Sequence, residues 1–290
     1  QVAGAAVPGM PETLPVSQEI MKYVTDYLTG GYAAQGAGFP NAFGYMTPAN
    51  QSQIYFAPNT SFDFTLVEFQ GKSVADATTA WLAEFDKLVA NAGTPVIVWP
   101  WHDYGAADFV SGSPTANSPY DISMFNAWLQ HAVAANMEFV TLDDLAHRMM
   151  ALKNSTITST VVGNTITASV TGANVGNLSL DVDRQGSLVI QNVTGWYAYD
   201  KDSIFLPQSG GTFTIHMGAA ADDVTHITDL PMRSVLMSLT GDGRNLAFSL
   251  QGEGKVVIDI ANPGGKAVVV NGATLVSQVG EIVTLDIGSY

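Results

Sequence analysis

Cysteine is absent from all 290 residues, which removes structural disulfides, thiolate nucleophiles and Cys-ligated zinc in one step. Basic residues are scarce: 11 Lys and Arg stand against 26 Asp and Glu, a formal net charge of -15. A surface of that sign repels phosphate backbones and anionic lipid heads, which argues against nucleic acid or an anionic membrane as partner. No apolar run reaches bilayer-spanning length, and no basic n-region of a signal peptide is present. The first residue is Gln1 rather than Met. The expectation is a processed, secreted product. Phosphate-cradling loops, dinucleotide fingerprints and a Gly-x-Ser-x-Gly elbow are also missing, leaving nucleotide and serine-hydrolase chemistry unsupported.

What stands out instead is Pro95-Val96-Ile97-Val98-Trp99-Pro100-Trp101-His102-Asp103-Tyr104-Gly105. A β-branched apolar run stops abruptly at an imidazole and a carboxylate between aromatic rings. Such a run suits a strand buried on both faces of a parallel sheet, and side chains where the strand stops lie at the edge where ligands bind.

Residues 1–15 are small and rich in Gly and Pro and read as an extended arm. The spacing of Ile20, Tyr23, Val24 and Tyr27 predicts a helix from Val16 to Tyr27, ended by Gly30-Gly31. Strands are expected over Gln53 to Ala57 and Phe62 to Phe69. Val74, Ala77, Trp81, Phe85 and Leu88 predict a helix from Ser73 to Asn91, with Ser73 and Asp76 as its capping box. A further helix starts at Asp121 with Ile122, Phe125, Leu129 and Val133 inward. Phe139-Val140-Thr141-Leu142 reads as a short strand, and Thr141 with Asp144 caps a last helix carrying Leu145, Met149 and Leu152. From Asn154 onward Thr, Val, Ile, Gly and Asn dominate in short alternating runs, the pattern of an antiparallel β-sandwich. The division expected is therefore an arm at 1–15, an α/β domain at 16–153 and an all-β domain at 154–290.

The apolar strand ending in His102-Asp103, the following helix, the Phe139-Val140-Thr141-Leu142 strand and the closing helix resemble the end of the polysaccharide deacetylase superfamily domain. The resemblance covers residues 94–150 and fades from Gln53 to Gly93. It implies a partial (β/α) deacetylase-like barrel followed by the antiparallel sandwich. It implies removal of N- or O-acetyl groups from a polysaccharide or oligosaccharide, with His102 as the general acid that protonates the leaving amine. Imidazole titrates near neutral pH and suits that task. Asp103 is adjacent on the strand, points the other way, and takes a positioning role.

The family also implies a divalent metal of zinc type. Its early ligand motifs, a Thr-Phe-Asp-Asp turn and a His-x-x-x-His pair, do not occur here; Ser61-Phe62-Asp63-Phe64 is a partial echo. The metal half is expected on a second polypeptide, removed by processing, or lost.

Trp99, Trp101 and Tyr104 are candidates to stack on sugar rings, with core packing as the competing role. Glu68 and Asp103 offer a rival reading as the carboxylate pair of a glycoside hydrolase. A non-catalytic glycan-binding or structural subunit is the other alternative. Trp196, Tyr197 and Tyr199 fit a core better than a sugar platform. His131 and His147 lie on predicted helices and read as surface or supporting residues, and Asp143-Asp144 as charges suited to a helix N-terminus. In the β domain, Asp181-Val182-Asp183-Arg184-Gln185-Gly186 partly resembles a calcium loop but lacks the third acidic position and the distal Glu and reads better as a turn, while Asp200-Lys201-Asp202 and Asp222-Asp223-Val224-Thr225-His226 are the other Ca²⁺ candidates.

Overall fold

The computed structural model describes residues 2–7, 14–30, 45–47, 53–57, 70–92, 95–98, 101, 122–183, 186–264 and 268–288. The chain is of mixed α/β class and divides into two compact units, Gln1–Met150 and Ala151–Tyr290. No helix among the described residues is long and apolar enough to cross a membrane.

In the first unit the stretch expected as an arm forms strand β1 (Val2–Val7), followed by helix α1 (Leu14–Ile20) and strand β2 (Val24–Gly30). The two strands pair in parallel. Gly4 has a positional reason: a Cβ there would meet the Tyr27 ring at 2.3 Å, so only glycine lets that ring lie over β1. The helix expected from Val16 to Tyr27 is thus corrected to a short helix, a turn at 21–23 and a strand. The β-branched Val24, Thr25 and Thr29 favour extended backbone, and β1 supplies the ladder that a local reading cannot see. Tyr23, expected to face inward, is exposed.

Strand β4 (Tyr55–Phe56) continues the sheet in parallel beside β2, and β3 (Tyr45–Met46) pairs antiparallel on its far side. Val7, Met21, Val24, Leu28, Ile54 and Phe56 form one apolar cluster of this layer.

Helix α2 (Val74–Asn91) begins as its sequence predicts. Ser73 Oγ accepts from the Asp76 backbone N–H at 3.1 Å and donates to the Asp76 carboxylate at 2.8 Å. Ala77, Trp81 and Phe85 are its buried stripe. Helix α3 (Ile122–Ala134) packs on it but turns a different face inward than its spacing implied. Met124 and Ala132 are buried, while Ile122 and Val133 are exposed. Aromatic packing with α2 decides the rotation: Trp128 sits edge-on to Phe85 at 6.0 Å, and His131 Nε2 meets Asp86 Oδ1 at 2.6 Å.

Helix α4 (Leu142–Asn154) starts at the predicted cap, the Asp144 N–H donating to Thr141 Oγ1 at 3.1 Å. Leu145 is buried as expected, whereas Leu152 is exposed. The strands expected at Val96–Val98 and Phe139–Leu142 are not regular strands: Val98 makes a single bridge, and Phe139–Thr141 has no ladder. Their apolar side chains still gather in one core. Val96, Val98, Val140 and Leu142 pack with Tyr55, Ala57, Leu145 and Ala146.

In the second unit every ladder between strands among the described residues is antiparallel, and Ala198 adds a single parallel bridge to Ile227. One sheet has the order β5 (Thr156–Val162), β6 (Thr165–Thr171), β10 (Gly210–Gly218), β8 (Val189–Val193). Another runs β11 (His226–Asp229), β14 (Lys255–Asp259), β16 (Ile282–Asp286), β15 (Thr274–Val279). Two smaller pairs are β7 (Ser179–Asp181) with β9 (Ser203–Phe205) and β12 (Val235–Gly241) with β13 (Leu246–Gln251).

The alternation in β6 and β10 puts Ile166, Ala168, Val170, Phe213, Ile215 and Met217 inward. A second cluster forms around Ile227, Leu236, Val256, Ile258, Val283 and Leu285. Trp196 packs against both, its indole N–H donating to the Ala198 and Phe205 carbonyls at 3.1 Å.

Candidate metal centre

Of the residues singled out from the sequence, His102, Asp103, Tyr104, Trp99 and Glu68 lie outside the described residues. Trp101 is described. It is half-buried, edge-on to Trp81 at 5.5 Å and tilted against Phe125 at 5.2 Å, within the apolar cluster that joins α2 and α3.

The geometry draws attention to a different group. Asp26, Asp143 and His147 each offer one ligand atom, and these atoms lie within 4.8 Å of one another. It is the one such group of three or more among the described residues. Asp26 comes from β2, where the pairing steps from Val2 with Val24 to Gly4 with Tyr27, so β2 carries an extra residue at Thr25–Asp26. A bulge of this kind re-aims a side chain that regular alternation would send elsewhere. Asp143 and His147 are four residues apart in the opening turns of α4 and therefore share one face of it.

His147 Nε2 lies 3.4 Å from Asp26 Oδ1, and its Nδ1 lies 4.0 Å from Asp143 Oδ2. The Asp26 side chain retains 17% exposure, against 45% for Asp143 and 59% for His147. Asp26 Oδ2 accepts a 2.6 Å bond from the Thr25 hydroxyl. Asp143 Oδ1 is buried with no hydrogen-bond partner. The neighbouring stripe of the same helix is built differently. There Arg148 donates to both oxygens of Glu138 at 2.7 and 2.8 Å and to Asp144 at 2.9 Å, so that two carboxylates share one guanidinium.

The sequence reading missed this group. It searched for a His-x-x-x-His pair, whereas Asp143-x-x-x-His147 is the same helical spacing with one imidazole replaced by a carboxylate. Asp26 had no signal at all, because its segment was read as helix.

The acidic loops of the second unit use their carboxylates on protein donors. Asp222 accepts from Gln191 Nε2 at 2.7 Å and Asn192 Nδ2 at 2.6 Å, and Asp223 from the Asn262 N–H at 2.7 Å. Asp200 Oδ1 accepts the N–H groups of Asp202 and Ser203, which closes its turn. Of the expected Ca²⁺ loop at 181–186, Arg184 and Gln185 lie outside the described residues.

A cleft of about 1390 Å³ opens between β13 and the sheet of β14 and β16. Its lining mixes aliphatic side chains, Leu246, Leu250, Val268 and Val270 among them, with polar ones such as Arg244, Asn245 and Asn262, and Phe248 is its one aromatic side chain among the described residues. Trp196 and Tyr199 are committed to core packing, leaving no stacked-ring platform for sugar in this cleft.

Comparison of the chain with family models, with curated proteins and with solved structures finds no match.

Proposed function

We propose that the chain is the carboxyl-terminal part of a secreted, polysaccharide-deacetylase-like hydrolase: a partial (β/α) barrel followed by an antiparallel β-sandwich. The observation that carries this reading is the shared core of Val96, Val98, Val140, Leu142, Leu145 and Ala146 with Tyr55 and Ala57. The run leading to His102 packs with the segment and helix that close the family's domain, although they lie far apart in sequence. The net charge of -15 suits an extracellular setting and a neutral glycan partner.

In this reading a water molecule adds to the acetyl carbonyl, the C–N or C–O bond breaks, and acetate leaves. His102 gives its proton to the departing nitrogen or oxygen, so that a neutral amine or alcohol is released. Asp103 takes the positioning role and Trp99 and Tyr104 the sugar-stacking role, whereas Trp101 packs with Trp81 and Phe125. A divalent cation of the family's type would supply polarisation of the acyl oxygen and activation of water. Its ligand motifs have no counterpart in this chain, so a second polypeptide supplying them is part of the proposal.

The test is acetate release from an acetylated glycan by the protein isolated with any polypeptide that copurifies. His102→Ala should abolish release while leaving the far-ultraviolet circular dichroism intact. Undiminished turnover refutes the assignment. Release of reducing ends that disappears in Glu68→Gln refutes it in favour of a glycoside hydrolase.

A further inference from the structure

We propose that Asp26, Asp143 and His147 form a zinc-type divalent cation site that clamps β2 to α4. The site is independent of the deacetylation reading, since it requires neither His102 nor turnover.

The donor set is the first argument. Two carboxylates and one imidazole come from two separate elements and converge within 4.8 Å. This mixture suits a borderline cation, whereas Ca²⁺ takes an all-oxygen set of larger number. Bonds of about 2.0–2.1 Å in a tetrahedron place ligand atoms roughly 3.3 Å apart. The 3.4 Å between His147 Nε2 and Asp26 Oδ1 already has that spacing. The other two edges lie within 4.8 Å, and the Asp143 and His147 side chains, 45% and 59% exposed, have solvent on one side into which they can adjust. The solvent side leaves room for a water as fourth ligand.

Charge is the second argument. Neither Asp26 nor Asp143 has a Lys or Arg partner among the described residues; a single imidazole stands between them. One turn-stripe away, Asp144 at the equivalent i,i+4 spacing shares the Arg148 guanidinium with Glu138. Helix α4 therefore contributes to one carboxylate pair that shares a guanidinium and to a second pair, Asp143 with Asp26, that has none among the described residues. A buried oxygen without a partner, Asp143 Oδ1, points the same way. The other oxygen of that carboxylate, Oδ2, is the one facing His147, and a cation held by both oxygens would give Oδ1 the partner it lacks.

The competing arrangement is a protonated His147 bridging two carboxylates without metal. The two are separated by titrating metal-stripped full-length protein with Zn²⁺ by calorimetry, and with Co²⁺ by visible absorption. The proposal expects one saturable equivalent, the absorption bands of tetrahedral Co²⁺, and a raised melting temperature with zinc. His147→Gln and Asp26→Asn should each weaken zinc by more than the roughly tenfold to hundredfold seen on losing an outer-shell partner. Asp86→Asn, which removes a carboxylate on α2, should leave binding unchanged. If Asp26→Asn fails to fold, His147→Gln at its exposed position decides alone. Absence of saturable uptake, or uptake undiminished in His147→Gln, overturns the site.

Discussion

Arg148 is the cation on which the closing segment of the first unit depends, and its removal gives a calculable effect. Its guanidinium grips both oxygens of Glu138, just before Phe139 and Val140, and also reaches Asp144. Breaking a fully buried pair by removing one partner costs about 3–5 kcal/mol, because the other charge is left stranded. Here the Arg148 and Glu138 side chains retain 14% and 23% exposure, so solvent recovers part of that loss. We expect Arg148→Met to cost about 2 kcal/mol. Methionine keeps the apolar stem, which isolates the loss of charge from the loss of packing. For a unit of this size each kcal/mol lowers the melting temperature by about 2–4 °C, so the shift should be about 4–8 °C.

Tryptophan fluorescence reads the right unit, since Trp81, Trp99, Trp101 and Trp128 belong to the first and Trp196 alone to the second. Arg148→Lys, which retains the charge but loses the planar fork, should fall between wild type and Arg148→Met. A double-mutant cycle with Glu138→Gln should show a coupling of the two side chains. A melting temperature for Arg148→Met within about 1 °C of wild type would refute the reasoning.

Two further outcomes follow from the second unit. His226 is buried, stacked on Tyr199 at 4.2 Å with its Nδ1–H donating to the Val224 carbonyl, and burial lowers its pKa from the usual value. The unfolded chain takes up the proton first. The stabilising contribution of the neutral ring is therefore complete above about pH 6.5 and is lost as pH falls from there through the folded-state pKa. Asp200, Asp229 and Asp259 are shifted upward, mainly by burial, and act in the opposite sense. The effect is thus read as a difference: His226→Gln should flatten the fall in urea midpoint between about pH 7.5 and about pH 5.5, and an unchanged slope counts against it. Ile215 is fully buried on β10 between β6 and β8. Ile215→Ala should cost about 2–5 kcal/mol by leaving a cavity, followed through Trp196, whose ring lies 5.6 Å from that of Phe213. A loss under about 1 kcal/mol would mean that the two sheets collapse onto the gap.

Much of the secondary structure was legible locally. Ser73 with Asp76, and Thr141 with Asp144, announce two helix starts, because a cap needs only residues three apart. Alternation marks β6 and β10, because one buried face imposes a period of two. Other features escaped. Parallel pairing of β1 with β2 has no local signature, so the Gly-rich start resembled an arm and Val24–Tyr27 a helix. The inward face of α3 was misjudged because neighbouring aromatic rings, and not its own spacing, set its rotation. The reading of His102 rests on sequence alone.

By itself the sequence determined the mixed class, the acidity of the surface, the absence of thiol and disulfide chemistry, and the positions of the capped helices. These depend on composition, or on contacts between residues a few positions apart. Only the tertiary structure brought Asp26 to Asp143 and His147. The bulge that aims Asp26 and the helix that offers its partners meet across a core contributed by distant segments, and free energy of that kind is not stored in any local pattern.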